Sequence, residues 1–297
     1  MTESLGEVAA ITHRLAVLLA AGVAPVSAWS HVAVGARSAV PAAAAASGPA
    51  GIPGAIVAAA TGGDASARQA WRGLAAAWAV ATDAGAPLAP SLTSYASSLR
   101  ALADAQRDVR VALAGPKSTA RIVMVLPAIG VLFGLALGFN TLGVLVTTPP
   151  GWMCVAAGAA LMLLARYWTR RLLASAQPAD TTPGLDHDLA AIAVSGGGAL
   201  DRAVAAVHEA GATYGITVGD LDATLDLSRR AGVPAGDLLR GEAEERRRAA
   251  RADAQERAAA LSVRLMLPLG LCVLPAFMVL GVLPLLIAVV SSTVGTF

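Results

Sequence analysis

Two stretches without a single Lys, Arg, Asp or Glu, residues 122–165 and 265–297, constrain this chain more than any other feature. A helix that crosses the hydrocarbon of a bilayer needs about 20 apolar residues. The first stretch has room for two such helices and a turn, the second for one helix and a short tail. Over the whole chain 14% of residues are charged and the mean hydropathy is +0.64. A soluble domain carries about 25% charged residues, and the two uncharged stretches account for a large part of the deficit.

Three spans are predicted. The first starts at Arg121 and includes Val125, Ile129, Leu132 and Phe133, with Pro127 in its opening turns, a residue that membrane helices tolerate. The break falls between Asn140 and Pro149–Pro150, and Trp152 follows at a level suited to the membrane interface. The second span covers roughly 151–167 and ends at Arg166, Arg170 and Arg171. The third runs from about Leu265 to Val290 through Pro268, Pro275 and Pro284.

Charge orients these spans, because Lys and Arg gather on the cytoplasmic side. Arg107, Arg110, Lys117 and Arg121 precede span one, and Arg166, Arg170 and Arg171 follow span two. Arg246, Arg247, Arg248, Arg251, Arg257 and Arg264 precede span three; the loop 139–150 and the tail after span three have no basic residue. The expected arrangement is an N-terminal cytoplasmic helical module over 1–118 and two spans over 121–168 joined by an external loop. A second cytoplasmic module over 172–262 and a C-terminal span over 263–291 follow, with the C-terminus external. The fold class expected is all-α: an integral membrane protein with two helical-bundle modules. The acidic start MTESLGEV has no cationic segment ahead of an apolar core, so no cleavable signal peptide is predicted.

Within the modules, Gly and Pro mark helix ends. Gly22 with Pro25 stops one helix and starts the next over 5–36. Trp71, Leu74 and Trp78 recur at helical spacing over 66–84, Gly85 and Pro87 end that helix, and 88–113 forms a longer one with Leu92, Tyr95 and Leu99 inward. Residues 38–63, rich in Ala and interrupted by Pro41, Pro49 and Pro53, read as a flexible connection. Four helices are expected between Leu189 and Ala260. Glu242–Arg246, Glu244–Arg248 and Asp253–Arg257 stand four apart in the favourable order on the last of them. An internal repeat accompanies this pattern. Ala84-Gly85-Ala86-Pro87 and Ala231-Gly232-Val233-Pro234 each open a long helix leading to a span, and Arg100/Arg247 and Gly134/Gly281 keep the same offset.

Few residues suggest chemistry. No P-loop is present, and the histidines are isolated apart from Asp186-His187-Asp188, where a helix-capping Asp is the ordinary reading. Cys154 and Cys272 fall within predicted spans and read as small apolar residues. No ionisable group lies deep in a span, which speaks against ion-coupled transport. A net charge of +2 gives no nucleic-acid footprint. Arg246, Arg247, Arg248 and Arg251 are the candidate contacts for lipid head groups or an acidic partner. No catalytic residue, cofactor or metal is expected, and the chain is not read as an enzyme.

The glycine–proline hairpins Leu18–Pro25 and Ala231–Pro234, the charged helix 242–257 and the segment Arg264–Leu286 (RLMLPLGLCVLPAFMVLGVLPLL) together resemble the type II secretion system F family, in particular its Tad/Flp pilus-assembly members. The resemblance implies a platform in the inner, cytoplasmic membrane. Its expected partners are a secretion or pilus ATPase, pilin subunits and a paralogous platform protein or a second copy of itself. A small permease or channel subunit is the alternative function.

Overall fold

A computed structural model describes residues 4–112, 148–175 and 182–284, with scattered positions in 125–143 and 286–290. The described residues are helical throughout, with turns between helices and no strand among them. The chain divides into two compact units. One comprises Met1–Gln106 with Pro178–Ala252, the other Arg107–Gln177 with Asp253–Phe297.

The first unit opens with α1 (Leu5–Ala20) and α2 (Pro25–Ala33). Gly22 adopts φ +84°, a conformation that costs a residue without Cβ little, and Pro25 stands at the start of α2. The glycine–proline reading of this hairpin therefore holds. The next segment corrects the sequence expectation. Residues 38–63 are not a flexible connection but α3 (Val40–Ala46), a 3₁₀ turn (Pro49–Gly51) and α4 (Ile52–Ala59). Pro41, Pro49 and Pro53 each occupy the first turn of their element, where no intrahelical N–H is required, so they start helices rather than break them. Val40, Ala44, Ile52 and Ile56 are completely buried, and that burial offsets the weak driving force of the alanines around them.

The centre of the unit is α5 (Ala65–Asp83), begun by Asp64, whose carboxylate accepts the Ala67 N–H at 2.7 Å. Trp71, Leu74 and Trp78 face inward as their spacing predicts. Ala67, Ala70, Gly73, Ala75, Ala76, Ala77, Val80 and Ala81 are buried as well, so almost every face of the helix is covered. A helix apolar all round belongs inside a core, and its small residues allow close approach. The Trp29 and Trp78 rings lie 5.7 Å apart at 45°. Gly85 (φ +66°) then turns the chain into α6 (Leu88–Ala112), which buries Leu92, Tyr95 and Leu99.

From Leu185 onward this unit continues with α8 (Leu185–Ser195), α9 (Leu200–Tyr214), α10 (Asp222–Ala231) and α11 (Ala235–Arg264), four helices where four were expected. Helices α8 and α9 pack on α5, and one hydrophobic core runs from Leu5 to Leu239. Residues 1–106 and 178–252 thus form a single unit rather than two separate bundles, because α5 is apolar on more faces than its own half can cover. Gly196 shows how close the approach is: a Cβ there would collide with the Ala84 carbonyl at the end of α5.

The repeat is visible in packing. Leu74/Leu221, Trp78/Leu225, Ala81/Ser228, Leu92/Leu239 and Ala96/Ala243, all 147 residues apart, are buried in both members. The turns Gly85 and Gly232 share φ values of +66° and +67°. The hairpins α5–α6 and α10–α11 are therefore equivalent. Arg100 and Arg247 depart from that equivalence: Arg100 is exposed while Arg247 is not.

In the second unit α7 (Pro149–Ser175) starts at the prolines expected to mark a break and runs past Arg166, Arg170 and Arg171. Helix α11 continues to Val282 through π-helical segments Leu269–Val273 and Met278–Val282. Each π segment follows within three residues of Pro268 or Pro275. A proline cannot donate to the helical ladder and its ring crowds the carbonyl four residues back, and a widened turn accommodates both. Ala165 packs with Cys272 and Val273, Leu172 and Leu173 with Leu261 and Leu265, and Gly158 against the Leu280 side chain. Among the described residues two helices, Pro149–Ser175 and Ala235–Val282, are long and apolar enough to cross a membrane. Most of the predicted first span, most of the loop 139–150 and the tail beyond 290 lie outside the described residues.

Candidate functional site

The most concentrated polar chemistry in the first unit surrounds the start of α8. Gly184 (φ +76°) precedes this helix with its Cα against the backbone of α11: a Cβ there would stand 2.6 Å from the Ala243 carbonyl oxygen. That contact fixes where α8 begins. It brings Asp186, His187 and Asp188 into the interior, where each is less than a tenth exposed.

The three side chains diverge to different partners. Asp186 Oδ1 accepts from His187, both from its backbone N–H and at ring Nδ1, each at 2.9 Å. Asp186 Oδ2 accepts the Gly219 N–H at 3.0 Å and lies 3.9 Å from an Arg246 guanidinium nitrogen. Asp188 Oδ2 accepts the Ser98 hydroxyl at 3.1 Å and the Arg247 guanidinium at 2.7 Å. Asp188 therefore joins α6, α8 and α11. The capping role expected of these acids is partial: Gly184 takes the cap position, and Asp186 satisfies one first-turn N–H, that of His187.

Burial acts on both carboxyls, with opposite net results. It pushes Asp186 up, but the His187 hydrogen bond and charge, with the N–H groups of Gly219 and His187, outweigh it and hold the group at about 2. Asp188 is more deeply enclosed, and burial drives its carboxyl above the ordinary range against the opposing pull of Arg247 and Ser98. Tyr95, whose hydroxyl donates to the Ala70 carbonyl at 2.7 Å, is raised by burial and then by the Asp188 charge.

The arrangement suits a structural cross-brace better than a reaction centre. Asp186 and His187 have the hydrogen-bonded geometry of an acid–base pair, yet the imidazole is fully buried and its Nε2 has no hydrogen-bond partner among the described residues. A general base needs a reacting proton within reach. Among the described residues no group of three or more His, Cys, Asp or Glu side chains could hold a metal ion.

The four arginines singled out in the sequence separate. Arg247, expected at a lipid or partner surface, points inward with a side chain 10% exposed, bound to Asp188 and Glu244. Arg246 pairs with Glu242 at 3.1 Å and reaches toward Asp186. Arg248 pairs with Glu244 at 3.2 Å and is exposed, and Arg251 is exposed too. The spacing found the three i,i+4 pairs, Arg257–Asp253 at 3.1 Å included. It missed Ser98 and the Arg247–Asp188 bond, whose partners stand 90 and 59 residues away from Asp188. The one sequence signal was the pair of acids flanking His187 ahead of an apolar run.

Comparison with family models, with curated proteins and with solved structures found no match.

Proposed function

We propose that the chain is a multi-pass protein of the cytoplasmic membrane and serves as an assembly platform of the type II secretion or Tad/Flp pilus kind. The helical unit lies in the cytoplasm, three helices cross the bilayer, and the platform passes the motion of an ATPase to pilin subunits.

The observation that carries the membrane reading is the outer surface of the second unit. Trp152, Met153, Leu163 and Leu164 on α7, and Met266, Leu267, Leu271 and Leu274 on the C-terminal helix, are all more than half exposed. A water-soluble monomer rarely exposes so many large apolar side chains together, whereas hydrocarbon covers them without cost. The platform role rests on the resemblance of Arg264–Leu286 and of the hairpins. It is supported by a compact helical unit whose strongest polar cluster is enclosed and braces helices, as a part that transmits force requires.

The test is co-purification. The full chain, tagged and solubilised in mild detergent from its own host, is expected to bring down a secretion-type ATPase. Deleting its gene is expected to stop fibre assembly or secretion. Recovery without an ATPase, together with normal assembly in the deletion strain, overturns the proposal.

A further inference from the structure

The second unit holds a cleft of about 260 Å³ where α7 and α11 pass from charged to uncharged sequence. It is lined by the apolar side chains of Leu172, Ala260 and Leu261 and by a polar rim of Ser175, Glu256, Arg257 and Arg264. From this composition we infer that the cleft is a binding site for a membrane phospholipid whose phosphate is followed by a primary ammonium, as in phosphatidylethanolamine. The inference rests on the membrane reading above and assigns the lipid to a defined place on that surface.

Depth comes first. No charged residue follows Arg264, and the last charge-free turn of α7 ends at Ala165. Leu172 and Leu173 pack on Leu261 and Leu265, and Ala165 packs on Cys272 and Val273. At 1.5 Å per residue, Leu172 lies about 10 Å beyond Ala165 along α7. The cleft therefore opens just outside the hydrocarbon, at the level of phosphates and head groups. A lipid seated there keeps its acyl chains along exposed Met266 and Leu267.

The order of charge fits the order of groups in such a lipid. Moving from the membrane toward the cytoplasm along α11, the rim presents Arg264, then Arg257, then Glu256. A phospholipid presents its phosphate nearest the acyl chains and its amine farther out. Arg264 takes part in no ion pair among the described residues, so its guanidinium is available to a phosphate. Arg257 is bound to Asp253 at 3.1 Å, but both side chains are about half exposed, and such a surface pair contributes under about 1 kcal/mol and exchanges readily for a phosphate. Glu256 would repel a lipid carrying only negative charge in its head group. Opposite a primary ammonium it adds attraction, and the Ser175 hydroxyl offers a further acceptor beside it.

Arg246, Arg247, Arg248 and Arg251 are poorer candidates for the same ligand. They stand at least six residues farther from the uncharged sequence than Arg257, Arg247 faces inward, and Arg246 and Arg248 have carboxylate partners four residues away.

The experiment is native mass spectrometry of the detergent-solubilised full chain, titrated with phosphatidylethanolamine, phosphatidylcholine or phosphatidylglycerol of identical acyl chains. Phosphatidylethanolamine is expected to bind tightest. Arg264→Gln is expected to weaken all three lipids by about fivefold, the effect of one interfacial cation. Glu256→Gln should remove the preference for phosphatidylethanolamine over phosphatidylglycerol while leaving phosphatidylglycerol binding equal or stronger. Equal binding of the three lipids, tighter binding of phosphatidylglycerol to the unmodified chain, or no response to either substitution overturns the site. Alkaline extraction of native membranes separates this result from failure of the membrane reading: a chain that stays in the pellet yet shows no lipid preference refutes the cleft alone, and a chain released as soluble protein refutes both.

Discussion

Replacing Arg247 by Met tests whether the enclosed acid cluster holds the helical unit together. The substitution keeps much of the side chain's volume but removes the guanidinium 2.7 Å from Asp188 Oδ2. Asp188, 4% exposed at its side chain, would keep only the Ser98 hydroxyl on that oxygen, and Oδ1 already has no hydrogen-bond partner among the described residues. Breaking one side of a buried pair costs about 3–5 kcal/mol, because the remaining charge stays desolvated. For a unit of this size 3 kcal/mol lowers Tm by roughly 6–12 °C. Trp29, Trp71 and Trp78 lie in its core, so tryptophan fluorescence during thermal unfolding in detergent reports its loss. The sign of the pH dependence follows from the raised Asp188 group. Arg247 pulls that group down, so its loss raises Asp188 further, and the variant's deficit is largest above the variant's own raised value and shrinks as pH falls through it. Adding Asp188→Asn should recover most of the loss by removing the orphaned charge. A Tm within about 2 °C of the parent at neutral pH would mean that the pair behaves like an exposed one, and the cross-brace argument would fail.

Three further outcomes are expected. Gly184→Ala, at φ +76° and against the Ala243 backbone, should cost at least about 2 kcal/mol in the same unfolding assay, since both the backbone angle and the space oppose a Cβ. Asp186, held at about 2 against an ordinary 3.8, supplies on the order of 2 kcal/mol that is present above pH 4 and lost as pH falls through 2. Asp186→Asn should therefore flatten the acid limb of the stability profile. Ile56→Ala should cost about 2–5 kcal/mol and speed proteolysis between 38 and 63, whereas the same change in a loose connection would alter neither.

Local chemistry explains what could be read directly. Gly22 with Pro25, Gly85 with Pro87 and Gly232 with Pro234 each place a left-handed turn before a helix start, and each does so in the structure, because the reason lies within five residues. The inward faces of α5 and α6 and the i,i+4 pairs of α11 were legible for the same reason. Residues 38–63 were misread because composition counts prolines without showing their position in a turn, and it was Ile52 and Ile56 that found a core to enter. The spacing of charged residues pointed, without any coordinates, to the two long apolar helices that the described residues contain. Only the tertiary structure decided that α5 joins the two halves into one unit, that Asp188 is enclosed by Ser98 and Arg247, and that Arg247 leaves the surface its neighbours share. Those outcomes depend on contacts between residues dozens of positions apart, where the burial of one side chain is set by helices its own neighbours do not specify.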